Sequence, residues 1–213
     1  VVDPTVSLFN DVVAKGTNAL VNLYQLIIKW RTFIYAFCSD VSKMFNTLVL
    51  NQAMLPFSLY LFSESLDPDE DPEIWAFLTL TYGIRPASNM ATCGLKKVVN
   101  IKKDEYPLAH EVVHKQTYMD DTGGGHSTKE GREKIIDELV SVLPLGGFSI
   151  KMITRSGEPP GEKASNDGVT SSFGGYAWKT EKDTMSYKSG EINFNRKQRG
   201  YKKPNEKFKK RSL

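Results

Sequence analysis

Long apolar runs are missing from this sequence: no stretch approaches the roughly 18 uninterrupted apolar residues that a membrane span needs. The opening residues Val1-Val2-Asp3-Pro4 lack the basic start and apolar run of a secretory signal. A soluble, unsecreted protein that engages no membrane is therefore expected. Cysteine is scarce as well, with Cys38 and Cys93 alone and no framework spacing between them. That excludes a disulfide scaffold and points to reduced thiols in a reducing, intracellular setting, cytoplasmic particle and nucleus being equally open. No internal repeat is visible, and 213 residues suffice for one domain with a sizeable core, or one domain and part of another.

What is present is unevenly charged. The formal net charge is +3, yet residues 188–213 hold ten Lys or Arg against Glu191 and Glu206, a net of +8. The remaining residues therefore carry about −5, much of it in the run from Asp67 to Glu73. The basic end, with Tyr201 and Phe208 among its cations, has the composition to follow a phosphate backbone by charge and stacking; a solvated, disordered tail is the alternative.

Periodicity places the elements. Leu20, Leu23, Leu26 and Ile27 mark a helix within residues 8–30, with Thr17 or Asn18 as its cap. Residues 32–40, rich in aromatics, read as a buried strand that delivers Asp40 to its rim. Two strands at 57–62 and 74–81 are joined through the acidic loop, and 88–99 form a helix with Met90, Ala91, Leu95 and Val98 on one side. Pro107 opens a short helix over 107–114. Gln116 to Thr122 read as a strand, a tight reversal drawn from Asp-Asp-Thr-Gly-Gly-Gly, and a second strand. Ser127-Thr128-Lys129-Glu130 has capping-box spacing before a helix with Ile135, Ile136, Leu139, Val140 and Leu143 on its apolar face, ended by Gly146-Gly147. Further strands are expected at 148–154, 173–178 and 184–187. The whole predicts an α+β domain with a mainly antiparallel sheet.

One stretch, residues 110–126, carries two chemical motifs: HEVVH fits a zinc-protease pattern and Tyr118-Met119-Asp120-Asp121 fits a polymerase metal turn. Chance alone produces the first in roughly one chain in two hundred and the second in about one in fifty, so rarity favours zinc. Context reverses this. A zincin needs a long helix, a third ligand and a glutamate base beside the metal-bound water. On a helical wheel His110 and His114 fall at about 200° and 240°, beyond the apolar arc of about 140° set by Leu108, Ala109, Val112 and Val113, which places them in water. The later His126, Glu130 and Glu133 stand at no zincin spacing. A polymerase turn instead needs a second strand ending in a carboxylate, and Asp40 supplies one.

Three blocks in order, Ser39-Asp40-Val41-Ser42-Lys43-Met44-Phe45, Leu80-Thr81-Tyr82-Gly83-Ile84-Arg85-Pro86-Ala87-Ser88 and Thr117-Tyr118-Met119-Asp120-Asp121, resemble the palm of a retroelement reverse transcriptase. The flanks at 6–16, 146–151, 175–178 and 192–200 are similar to segments of BEL/Pao-like retrotransposon polyproteins, so the likeness spans nearly the whole chain. It implies a polymerase palm, an antiparallel sheet with helices packed on one face and partial fingers. The implied divisions are a helical lead-in over 1–31, the palm over 32–155, a strand-rich extension toward the thumb over 156–190 and the basic tail over 191–213.

The same resemblance implies an RNA-directed DNA polymerase, a nucleotidyltransferase that uses two Mg²⁺ ions, with Mn²⁺ as a substitute. Asp40, Asp120 and Asp121 would be its catalytic carboxylates, and Asp40, Asp120 and the carbonyl of Val41 its metal ligands. Phe45, Tyr82, Gly83 and Lys151 would contact the incoming deoxynucleoside triphosphate, with Phe45 as a steric gate against a 2′-hydroxyl. A core aromatic at Phe45 and a surface cation at Lys151 are the plainer alternatives. Tyr118 and Met119 would lie under the primer end, and Arg196, Lys197, Arg199, Lys202 and Lys203 would hold nucleic acid. The implied partners are an RNA or DNA template with its primer, and the fingers, thumb and RNase H regions of a larger polyprotein. Ala87-Ser88 departs from the small residue and proline of many relatives, which puts template grip in question. The readings in competition are a non-catalytic relic or domesticated fragment that binds nucleic acid, and, more remotely, a zinc metalloprotease.

Overall fold

A computed structural model describes residues 9–64, 70–161 and 168–187. Its centre is a four-stranded antiparallel sheet of β1 (Tyr35–Ser42), β4 (Thr117–Tyr118), β5 (Asp121–His126) and β6 (Ser149–Arg155), in the order β4-β5-β1-β6. Two smaller antiparallel sheets accompany it: the hairpin β2 (Leu59–Phe62) with β3 (Glu73–Ala76), and β7 (Thr170–Phe173), β8 (Tyr176–Lys179) and β9 (Thr184–Tyr187). With helices α1 (Phe9–Val12), α2 (Leu23–Trp30), α3 (Ala87–Ile101), α4 (Pro107–Lys115) and α5 (Lys129–Val142), the chain has the expected α+β class. No described helix is long and apolar enough to cross a membrane.

Alternation along β1 sorts its side chains to two faces. Phe37 and Val41 join the larger core, with Ala91, Leu95 and Val99 of α3, Val112 and Val113 of α4, and Ile135, Ile136 and Leu139 of α5. Ala36 and Cys38 face the other way, onto Leu26, Ile27 and Trp30 of α2 and onto Phe173 and Trp178. Helices therefore cover both faces, not one: α2 brings its apolar stripe to the sheet's second side. Trp30 ties that layer together, donating from Nε1 to the carbonyl of Phe37 at 2.8 Å and meeting Trp178 edge-on at 4.7 Å.

Several element ends differ from the sequence reading. Helix α2 starts at Leu23, and its cap is Asn22, whose side chain accepts from the amide of Gln25. Asn18 instead accepts from the amide of Leu20, two residues on, a local bond that holds a turn and competes with helix. The cap of α5 is Thr128, not Ser127, and its hydroxyl accepts from the amide of Gly131, so Glu130 is out of phase for a capping box. Residues 173–178 are not one strand: Gly174 and Gly175, both at positive φ, turn β7 back into β8.

The largest correction concerns Gly123-Gly124-Gly125. These residues lie inside β5, and the reversal is made by Met119 and Asp120. A Cβ on Gly123 would collide with the ring of Phe173, on Gly124 with Phe37, and on Gly125 with Phe33. The glycines are there so that aromatic rings from both cores can lie directly on the strand.

Candidate carboxylate site at the β1–β5 strand end

Asp40 stands near the end of β1 directly opposite Asp121 of β5, although eighty positions separate Asp40 from Asp120 in the chain. The amide of Val41 donates to the carbonyl of Asp120 at 2.8 Å, which fixes the turn against the strand. Met119 enters that turn at φ 57°, a left-handed conformation that few non-glycine residues adopt. Its side chain packs on the larger core, while Tyr118 packs on the second. The YMDD turn is thus clamped from both sides of the sheet.

Directly opposed like charges destabilise a strand pair unless something offsets them. Two groups do so here. Lys151 Nζ lies 3.3 Å from Asp40 Oδ2, and the amide of Gly174 donates to Asp121 Oδ2 at 3.3 Å. The lysine arrives by a β-bulge: between the pairs Cys38↔Thr154 and Asp40↔Lys151, Met152 and Ile153 together face the single residue Ser39. Met152 absorbs the extra residue at φ 54°. Regular pairing would have put Met152 opposite Asp40.

Phe45 and Tyr82 meet at 4.5 Å between ring centroids, with Phe45 buried in the larger core and Tyr82 largely exposed. Gly83, at φ 94°, follows in a loop pinned by Asn10. Asn10 donates from Nδ2 to the Gly83 carbonyl at 2.7 Å and accepts from the Arg85 amide at 2.8 Å. Val41 is buried in the larger core. Arg196, Lys197, Arg199, Lys202 and Lys203 lie outside the described residues.

The implied Mg²⁺ site can be tested against these donors. Among the described residues no group of three or more His, Cys, Asp or Glu side chains forms a ready metal cage. Mg²⁺ rarely uses one: it is commonly held by one or two carboxylates, water and substrate phosphates. Carboxylates from two adjoining strands and a neighbouring carbonyl are hard oxygen donors of that kind, so the residues fit.

HEVVH does not form a zincin site. His110 and His114 are half-buried, not free in water, and both direct Nε2 onto Asn100 Oδ1, at 3.0 and 2.8 Å. Glu111 is engaged elsewhere, with Lys115 at 3.3 Å and Lys29 at 3.9 Å.

Asn10, Gly174 and the Met152 bulge were not foreseen as parts of this region. Only the Gly174-Gly175 pair carried a recognisable turn signal. Compared with models of known protein families and with curated proteins, the chain matches none.

Proposed function

We propose that this chain is the palm portion of a template-directed nucleotidyltransferase, an RNA-directed DNA polymerase. The observation that carries the reading is the pairing of Asp40 with Asp121, which gathers Asp40, Asp120 and Asp121 at one strand end and sets two carboxylates face to face. Lys151 and the Gly174 amide offset this negative charge, and divalent ions would take the place of the lysine at Asp40.

Asp40, Asp120 and the carbonyl of Val41 would hold the two Mg²⁺ ions, with Asp121 supporting them from its bond to Gly174. When bound, the ions lower the pKa of the primer 3′-hydroxyl and stabilise the departing pyrophosphate. Lys151, already beside Asp40, would turn toward the anionic triphosphate. The exposed ring of Tyr82, backed by the buried Phe45, would present a flat surface to the nucleotide, and the open space over Gly83 would let a strand approach the backbone. Partial fingers before α2, a thumb and an RNase H region belong to the same proposal.

Primer extension on an RNA template with deoxynucleoside triphosphates tests it. Synthesis is expected with Mg²⁺ or Mn²⁺ and should fall by at least ~100-fold in Asp120→Asn, where a charge aimed at the transition state is removed. Absence of synthesis with either ion, or synthesis indifferent to Asp120→Asn, would sink the enzyme reading and leave the nucleic-acid-binding one.

A further inference from the structure

We propose that His110, His114 and Asn100 form a binding site for a borderline divalent transition-metal ion, Zn²⁺, Ni²⁺ or Cu²⁺, which joins α3 to α4. The site is separate from the carboxylates and does not depend on the polymerase reading.

The two histidines stand four residues apart on α4, so their rings project from one side of the helix. The ring centroids are 4.5 Å apart, and both Nε2 atoms converge on one oxygen, Asn100 Oδ1, supplied by α3. Donors bound about 2.1 Å from a common ion stand about 3 Å apart at the right angles that Ni²⁺ and Cu²⁺ favour, and about 3.4 Å apart around a tetrahedral Zn²⁺. The two Nε2–Oδ1 separations, 3.0 and 2.8 Å, match the shorter of these. Two donor–donor edges, shared at Asn100 Oδ1, thus already have the length a common ion requires.

Donor chemistry selects the ion. Two imidazoles and an amide oxygen suit Zn²⁺, Ni²⁺ and Cu²⁺, and not Mg²⁺, which prefers oxygens throughout. Binding moves the hydrogen of each neutral ring from Nε2 to Nδ1, with no net proton released. Burial, then the charges of His110 and Lys96, hold His114 below its ordinary pKa, which favours the neutral ring that a metal needs. Lys96 is the neighbouring charge that opposes a cation here. Among the described residues no third His, Cys, Asp or Glu completes a cluster, so water fills the remaining positions. Glu111, paired with Lys115 and Lys29, is not poised to activate such a water, which makes this a structural clamp and not a hydrolytic centre.

Metal-free, reduced full chain titrated with ZnCl₂ by calorimetry and with CuSO₄ under electron paramagnetic resonance provides the test. One Cu²⁺ per chain coupled to two nitrogens is expected, with a melting temperature raised by Zn²⁺ in the parent chain by more than in a variant lacking both rings, whatever Mg²⁺ does at the carboxylates. His110→Ala and His114→Ala should each lose the second nitrogen, and Asn100→Leu should weaken binding roughly 10-fold. Asn100→Asp should tighten it, a gain that does not depend on a ring variant folding. Absence of saturable binding in the parent chain, binding that survives loss of both rings, or binding lost only in Cys93→Ser or His126→Ala would overturn the site.

Discussion

Met119 enters the turn between β4 and β5 at a positive φ, and the residue that follows it presents its carbonyl to Val41. The carboxylates on either side inherit that geometry, and with it the repulsion between Asp40 and Asp121. Removing one of the two charges should therefore stabilise the fold while harming any cation-dependent activity. Asp121→Asn keeps an acceptor for the Gly174 amide, and urea unfolding should show it more stable by about 0.2–1 kcal/mol. A loss of stability would mean that Lys151 and Gly174 already outweigh the repulsion. The glycines of β5 predict the opposite outcome. Gly124→Ala pushes a methyl into the Phe37 ring and should destabilise by roughly 1–3 kcal/mol in the same measurement. At this scale the meeting of Asp40 with the Asp120-Asp121 turn was legible, because an apolar run that ends in Asp40 reads as a strand able to pair beside that turn. A plain hairpin turn was an equal use of Asp-Asp. The glycines were misread because a triplet of glycines signals a turn until the rings above and below it are known.

Among the elements, α2 and α5 show that local signals locate a helix but not its cap. The Asn22 cap serves one amide of α2, so Asn22→Ala should cost about 1 kcal/mol, read as a shift in the urea midpoint, whereas Asn18→Ala should leave it nearly unchanged. Helix α5 carries a less visible device. Arg132 is buried at its first turn, where it donates to Glu133, to Glu158 and to the carbonyl of Ser156, while Arg155 of β6 also holds Glu133. Burial by itself would raise the Glu133 carboxyl, but hydrogen bonds from Arg155 and Arg132 outweigh it and hold the group below the ordinary glutamate value. A folded-state pKa below the unfolded one adds stability at pH above the ordinary value, near 4.5, and that stability drains away as acid carries the pH down through the folded value. Thermal melts between pH 6 and pH 3 should accordingly fall more steeply for the parent chain than for Glu133→Gln. None of this network was legible in advance, since a lone Arg on a helix of mixed charge reads as solvated.

The whole molecule depends on two layers meeting at one sheet. Trp30 joins them: it is fully buried, bonded to β1 and packed on Phe173 and Trp178, while its neighbour Arg31 pairs with Asp183 at 2.6 Å. Trp30→Ala should cost about 3–5 kcal/mol and, because Gly174 belongs to that layer, should also loosen the support of Asp121. Hydrogen exchange at the Gly174 amide would register this as faster exchange in the variant. The antiparallel α+β class was legible from alternating short strands and amphipathic helices. Neither the strand order nor the covering of the sheet's second face was, because both rest on contacts between residues far apart in the chain.

The sequence by itself determined the kinds of element and the antiparallel class, and it led to the expectation that Asp40 would meet the Asp120-Asp121 turn, because these follow from periodicity and turn chemistry. Only the tertiary structure decided that Lys151 faces Asp40, that Gly174 holds Asp121 and that His110 and His114 share Asn100. The first depends on strand register and a single inserted residue, since shifting a strand by one position sends every side chain to the opposite face. The other two depend on how a loop and a pair of helices pack.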